Sequence, residues 1–192
     1  GDSIVGEGWY NEIVIFPFPD NDSLYYLFSI STALGPGGLY YSIINMKADS
    51  GNGDVISKNN QLSPLSMTDC LNAVKHGNGR DWWVLARRYD GSNATSNNQF
   101  FSYLISPAGI TNYQVQSVGS MLNTAIGQLK FNREGNKVAF CSYKGTLELF
   151  DFDRCSGTIS NPELIYLENN SGPWPSRFSC EFSSNSEYLY VS

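Results

Sequence analysis

The feature that most constrains this chain is a segment that occurs twice. Leu129-Lys130-Phe131-Asn132-Arg133-Glu134-Gly135-Asn136-Lys137-Val138-Ala139-Phe140 aligns without a gap on Cys180-Glu181-Phe182-Ser183-Ser184-Asn185-Ser186-Glu187-Tyr188-Leu189-Tyr190-Val191 at a shift of 51 residues. Each copy reads apolar run, polar turn, apolar run, and related patterns recur upstream at intervals of about 50 to 57 residues. A repeat of that length built from strand, turn and strand is the signature of β-propeller blades.

The residues between the repeats fill in the rest of each blade. The first unit runs through Glu12 to Phe18, Leu24 to Ile30 and Leu39 to Met46, with a weaker strand beginning near Asp54. The second runs through Leu71 to His76, Asp81 to Arg87, Phe100 to Ile105 and Asn112 to Val118. The third takes Ile126 to Phe131, Lys137 to Ser142, Thr146 to Phe152 and Leu164 to Leu167; the fourth has only Phe178 to Phe182 and Tyr188 to Val191. Asp, Asn, Pro and Gly mark the reversals, because they reach turn dihedrals cheaply or bond their own backbone. No stretch keeps a helical apolar period over three turns, and Tyr, Phe and Trp make up 14% of the chain, which suits pleated surfaces. Runs such as Tyr188 to Val191 are apolar throughout, as expected where sheets stack and bury both faces.

The expected fold is therefore all-β, a β-propeller fragment with three four-stranded blades plus the start of a fourth. The blades fall at about 10–62, 69–119 and 124–168, with an incomplete one at 176–192. Propellers close with roughly four to eight blades, so the expectation is that the polypeptide continues past Ser192.

Charge narrows the partners. The net charge is −6 and the pI about 4.7. The densest basic groups are Arg87-Arg88 and the scattered Lys130, Arg133 and Lys137, so no nucleic-acid partner is expected, because a polyanion needs clustered cations to release its counterions. No run approaches the roughly 20 apolar residues that span a bilayer, and Gly1-Asp2-Ser3-Ile4 does not open an export signal. Cys70, Cys141, Cys155 and Cys180 show no metal-ligand spacing. They suit buried small apolar positions or a disulfide, and sequence selects no pairing.

Catalytic candidates are few. His76 is the only histidine, which removes most acid–base and nucleophilic triads; its ordinary role is that of a solvated turn residue. No serine lies in a Gly-x-Ser-x-Gly elbow. Asp151 and Asp153 alternate along one strand and so share a face, where solvation or turn capping is the ordinary outcome. Asp20-Asn21-Asp22-Ser23 and Asp49 to Asp54 offer oxygen ligands without the spacing of a calcium loop. No catalytic residue, metal or cofactor is expected within this segment. Asn21, Asn93 and Asn169 open glycosylation-type triplets that read as chance matches. Trp82 and Trp83 must point to opposite faces. Trp174, held between Pro173 and Pro175, is the one ligand-binding candidate, since a rigidly presented aromatic can stack on a sugar or anchor a protein.

Several phrases carry a family likeness. They are Ile15-Phe16-Pro17-Phe18-Pro19 with Leu24-Tyr25-Tyr26-Leu27-Phe28, and Gly38-Leu39-Tyr40-Tyr41-Ser42-Ile43-Ile44-Asn45-Met46. Gly53-Asp54-Val55, Leu71-Asn72-Ala73-Val74-Lys75-His76, Ala125-Ile126-Gly127-Gln128-Leu129-Lys130 and Leu147-Glu148-Leu149-Phe150-Asp151-Phe152-Asp153 follow in order. From about Trp9 to Ser192 the chain resembles the WD40-like β-propeller region of large extracellular Bacteroidota proteins, of the gliding-motility-associated or type IX secretion system cargo type. The turn at Asn132 to Asn136 departs from the commoner Ser-Pro-Asp-Gly of such repeats but keeps turn-forming residues. The resemblance implies a secreted or cell-surface protein and supplies no catalytic residues. The expectation is a non-enzymatic binding or adhesion module that presents loops such as Gly91 to Asn98 and Asn169 to Pro175 to a protein or glycan at the cell surface, or to the secretion machinery. The alternatives are a propeller scaffold for an enzyme whose catalytic residues lie outside this segment, or a structural spacer.

Overall fold

The structure is a computed structural model that describes residues 3–6, 10–31, 37–91, 95–166 and 179–192. Among the described residues the regular elements are fourteen strands and one short 3-10 turn at Asp49–Gly51. The first sheet is β1 (Ile13–Phe18), β2 (Asn21–Ile30), β3 (Leu39–Asn45) and β4 (Asp54–Ser63). The second is β5 (Asn72–Lys75), β6 (Trp82–Arg87), β7 (Gln99–Ser106) and β8 (Gly109–Ser117). The third is β9 (Gly127–Phe131), β10 (Lys137–Ser142), β11 (Leu147–Asp153) and β12 (Thr158–Tyr166), and the fourth pairs β13 (Cys180–Phe182) with β14 (Leu189–Val191). Within every sheet the strands neighbour one another in chain order and run antiparallel. Three four-stranded blades and the start of a fourth are thus present, as the repeat required.

The first three strands of each full blade, and the outer strand read at Asn112 to Val118, stand where the sequence placed them to within a few residues. The outer strands β4 and β12 extend well beyond their apolar residues, through Ser57 to Gln61 and through Ser160-Asn161-Pro162-Glu163. Outer strands are solvated and have no continuous apolar face to signal them. Both are also bulged, with a left-handed Asn59 (φ 55°) in β4 and Asn161 (φ 49°) in β12.

The sheets stack face to face because alternate side chains leave each strand on opposite sides. Phe16, Tyr26, Phe28 and Ile30 of the first sheet pack on Val84, Ala86, Phe101 and Ile105 of the second. The other face of the second sheet, with Trp83, Leu85 and Phe100, packs on Leu129, Phe140, Phe150 and Phe152 of the third. Ala139, Cys141 and Leu147 then meet Cys180, Phe182, Leu189 and Val191 of the fourth. Each fully buried Phe or Leu contributes about 2 kcal/mol through removal of apolar surface from water. On the two outermost faces of the stack, alternation leaves Ile13 and Ile15 at one end and Tyr188 and Tyr190 at the other exposed.

The entrances to the inner strands are tied to one another. Isolated parallel bridges join Asn11 to Cys70 and Asp69 to Ile126. Asn11 Nδ2 donates to Gly127 O at 3.2 Å, and Gln128 Oε1 accepts from the Cys180 amide at 2.7 Å. These bonds place β1, β5, β9 and β13 around a common axis.

One charged pair is buried between the second and third sheets. Arg87 and Glu148 are each 1% exposed, with Nη1 and Oε2 3.7 Å apart. Arg87 donates to Asn97 O (3.1 and 2.9 Å) and to Ser120 O (2.6 Å), and its guanidinium lies 4.2 Å from the Phe140 ring centroid. Glu148 Oε1 accepts from the Ser120 amide and hydroxyl at 2.9 and 2.6 Å. Burial pulls the Arg87 pKa down, and the Glu148 carboxylate opposes that. The pair fastens the β6–β7 loop and the connection after β8 to the third sheet.

Candidate functional site

Where the outer halves of the first and second sheets diverge, they leave a cleft of about 910 Å³. Tyr26 and Tyr41 come from β2 and β3, and Phe101 and Tyr103 from β7. The end of β4 and the residues just after it, Leu62 to Leu65, form one lip. The other lip is β8, which presents Tyr113 and Val115, 60% and 47% exposed. Tyr113 stacks on Tyr103 at 5.6 Å between centroids and 24° between planes, while Tyr26 leans on Tyr41 at 5.9 Å.

The electrostatics are those of a neutral groove. Burial pushes Tyr26 and Tyr103 up to about 12, with Tyr41 and Tyr113 as the next causes, so their hydroxyls stay protonated and able to donate. Among the described residues, Arg88 is the only charged one lining it. Its guanidinium is already engaged by Gln99 Oε1 at 3.0 Å and Asp90 Oδ2 at 2.7 Å. No charged residue lies between Gly109 and Ser117.

The β8 lip differs from the other outer edges. Its pairing with β7 is unbroken from Gln99↔Ser117 to Leu104↔Asn112. The β3–β4 ladder shifts register three times and the β11–β12 ladder twice, and Pro162 sits in β12. Bulges, left-handed residues and proline blunt an edge against added strands. Among the described outer edges, β8 breaks register least, with a single shift between Leu104 and Ile105, and carries no charged residue.

The residues singled out in sequence distribute as follows. Trp174 and the loop from Asn169 to Pro175 lie outside the described residues, as do Asn93 and Asn169 of the triplets. The described part of the Gly91 to Asn98 loop is an anchor rather than a presented surface. Asn97 and Asn98 are buried, and Asn97 bonds the Asp90 amide and Gly91 O. His76 is not a free turn residue: its Nδ1 accepts from the Asn78 amide at 3.0 Å, which leaves Nε2 protonated to donate to Cys155 O at 3.1 Å. It thereby clasps the second sheet to the third and stacks on Trp83 at 5.8 Å.

Asp151 and Asp153 do share one face, but each has its own local partner. Asp151 pairs with Lys137 and accepts from Asn161, whereas Asp153 caps the Cys155 amide and binds the Ser156 hydroxyl. These bonds hold both carboxyls below the usual range. Asn21 and Asp54 accept from nearby amides within their turns, and among the described residues no three His, Cys, Asp or Glu side chains gather as a metal would require. Trp83 is buried between the second and third sheets, and Trp82 packs on Phe16 at 5.1 Å on the opposite face. None of the four cysteines forms a disulfide; Cys141 and Cys180 meet between the third and fourth sheets, where the neighbouring thiol and burial push Cys180 up.

The tyrosine groove had no sequence signal of its own. Tyr26, Tyr41, Tyr103 and Tyr113 read as ordinary strand aromatics, and only the divergence of two sheets shows which of them open to solvent.

No protein-family model matches the chain, and no curated protein matches it. Solved structures do resemble it. The Pseudomonas aeruginosa periplasmic gluconolactonase PpgL is 16% identical at a TM-score of 0.47, covering 78% of this chain and 38% of its own. Sqt1 from Chaetomium thermophilum is 13% identical at 0.48, covering 99% and 43%. The C-terminal WD40 domain of Sif2 is 11% identical at 0.42, covering 100% and 58%. The chain thus spans less than two thirds of each of these proteins.

Proposed function

We propose that this chain is a non-enzymatic binding module whose tyrosine-lined groove takes an extended, uncharged peptide segment of a protein partner. The observation that carries this reading is the conjunction of an unguarded strand edge with a neutral aromatic cleft beside it. A peptide adding to β8 completes its open backbone bonds, and alternate side chains then point toward the cleft. Tyr113 and Val115 supply the exposed apolar contact, and tyrosine is a residue that anchors interfaces well because it combines a large apolar ring with a polar tip. Among the described residues the groove carries no unpaired charge, so apolar side chains suit it better than acidic or basic ones. In keeping with the family resemblance of the sequence, the module is proposed to belong to an exported or cell-surface protein of the type IX secretion cargo type.

The test is a displayed library of random linear peptides panned against the immobilised protein. Enriched peptides are expected to carry apolar residues at alternate positions. As fluorescein-labelled synthetic peptides, they should lose about tenfold or more in affinity on Tyr113→Ser combined with Val115→Ser. Enriched peptides that bind the double variant as tightly as the parent would refute the site.

A further inference from the structure

The repeat that builds the stack changes character at its last interface. By strand pairing and by the shift of 51 residues, Cys180 in β13 stands where the third sheet has Leu129. Pairing likewise places Cys141 of β10 where β6 has Leu85. Leu85 and Leu129 are buried together in the core between the second and third sheets. At the next interface both positions hold cysteine, and Cys141 and Cys180 are 0% and 2% exposed in the core between the third and fourth sheets.

The approach of the two cysteines is set by the backbone. At the earlier interface Asn72 Nδ2 donates to Leu129 O at 2.7 Å. Gln128 holds the same register position in β9 and faces Cys141 across the β9–β10 ladder. Its Oε1 accepts from the Cys180 amide at 2.7 Å and from the Ser179 hydroxyl at 3.1 Å. Cys180 is thus tied to the residue paired with Cys141, and the two thiols meet in hydrogen-bond contact. The other two cysteines stand apart: Cys70 is buried between the second and third sheets, and Cys155 is exposed in the β11–β12 turn.

We propose that Cys141 and Cys180 are a redox pair that closes into a disulfide and covalently fastens the fourth sheet to the third. One thiolate attacks a small-molecule disulfide such as oxidised glutathione and displaces one glutathione thiol. The second thiolate attacks the mixed disulfide and displaces the other. The protein gives up two hydrogens and two electrons, and the oxidant leaves as two thiols. Burial and the neighbouring thiol keep Cys180 protonated, so the exchange runs while β13 and β14 are undocked, during folding or local opening. Those strands have three residues each, the shortest in the molecule, and a covalent tie secures them where backbone pairing is scant. The bond closes a loop of about 40 residues, which removes conformational freedom from the unfolded chain. An exported protein meets such oxidants, but the chemistry depends only on the two thiols and stands whether or not the export reading does.

The experiment refolds the reduced chain, carrying Cys155→Ser to remove the exposed thiol, in a buffer of oxidised and reduced glutathione. Peptide mapping by mass spectrometry without reductant then reads the products. Peptides holding Cys141 and Cys180 are expected to be recovered linked and two hydrogens lighter than the separate pair. The thermal midpoint should rise by about 5–10 °C over the reduced protein and fall back on adding dithiothreitol. Cys180→Ala in the same background should abolish both the link and the rise. If that variant fails to give a cooperative melt, the mapping and midpoint of the Cys155→Ser protein decide alone. Recovery of Cys141 and Cys180 as thiols or as separate glutathione adducts, or linkage of either to Cys70, overturns the proposal. A Cys141–Cys180 link that leaves the midpoint unchanged or lowers it also overturns the fastening role. The groove on β8 is a separate surface, so peptide binding there stands or falls independently.

Discussion

Removing either member of the Arg87–Glu148 pair should be among the most destabilising polar substitutions in the molecule. Both side chains are 1% exposed, so neither can recruit bulk water when its partner is lost. Breaking a buried pair from one side costs about 3–5 kcal/mol, because an uncompensated charge remains. Glu148→Gln keeps an oxygen for the Ser120 amide and hydroxyl and belongs at the lower end, about 3 kcal/mol. Arg87→Met also strips donors from the Asn97 and Ser120 carbonyls and belongs at the upper end, about 5 kcal/mol. The combination Arg87→Met/Glu148→Leu removes both charges and leaves apolar side chains against Phe100 and Phe140, which now flank the guanidinium. Its loss should be smaller than the sum of the losses of Arg87→Met and Glu148→Leu made singly by at least about 2 kcal/mol. Urea unfolding followed by tryptophan fluorescence measures each value, with an unchanged denaturant slope as the check that the transition is comparable. Single losses below about 1 kcal/mol, or additivity within about 0.5 kcal/mol, would show that the pair is solvated and that this account of the interface is wrong.

Other expectations follow from specific contacts. Gly157→Ala places a Cβ about 2.7 Å from the Trp83 ring at a residue with φ 75°, and should cost about 2–3 kcal/mol in the same unfolding assay. Trp83→Phe loses the bond to Arg154 O and leaves a small void, a loss of about 2–3 kcal/mol. Lys137→Ala breaks only an exposed pair with Asp151 and should change stability by less than about 1 kcal/mol. Tyr26 and Tyr103 titrate from 10.0 up to about 12 on folding. The unfolded chain therefore binds fewer protons than the native one between those values, and stability falls as pH rises from 10 to 12. Thermal melts across that window check the sign, which Tyr26→Phe together with Tyr103→Phe should flatten.

What could be read from the sequence was whatever repeats or alternates. Phe131 and Phe182 recur because inner strands meet the same packing in each blade, and the apolar runs at Trp82 to Arg87 and Lys137 to Ser142 belong to strands buried on both faces. The polar ends of β4 and β12 escaped notice because a solvated, bulged edge imposes no alternation on its residues. The sites were illegible for a different reason. His76 looked like a solvated turn residue since its partner, Cys155 O, lies 79 residues away. Nothing local in Tyr113 marks it as the lip of a groove; that depends on where the first sheet stands.

Backbone amide exchange along β8 tests the functional account most directly. A peptide selected by panning, added to the protein in saturating amount, should slow exchange at alternate amides between Asn112 and Ser117, with Tyr113 and Val115 side-chain resonances shifting in the same titration. Slowed exchange confined to other segments, with β8 unchanged, would contradict strand addition at this edge and with it the proposed binding mode.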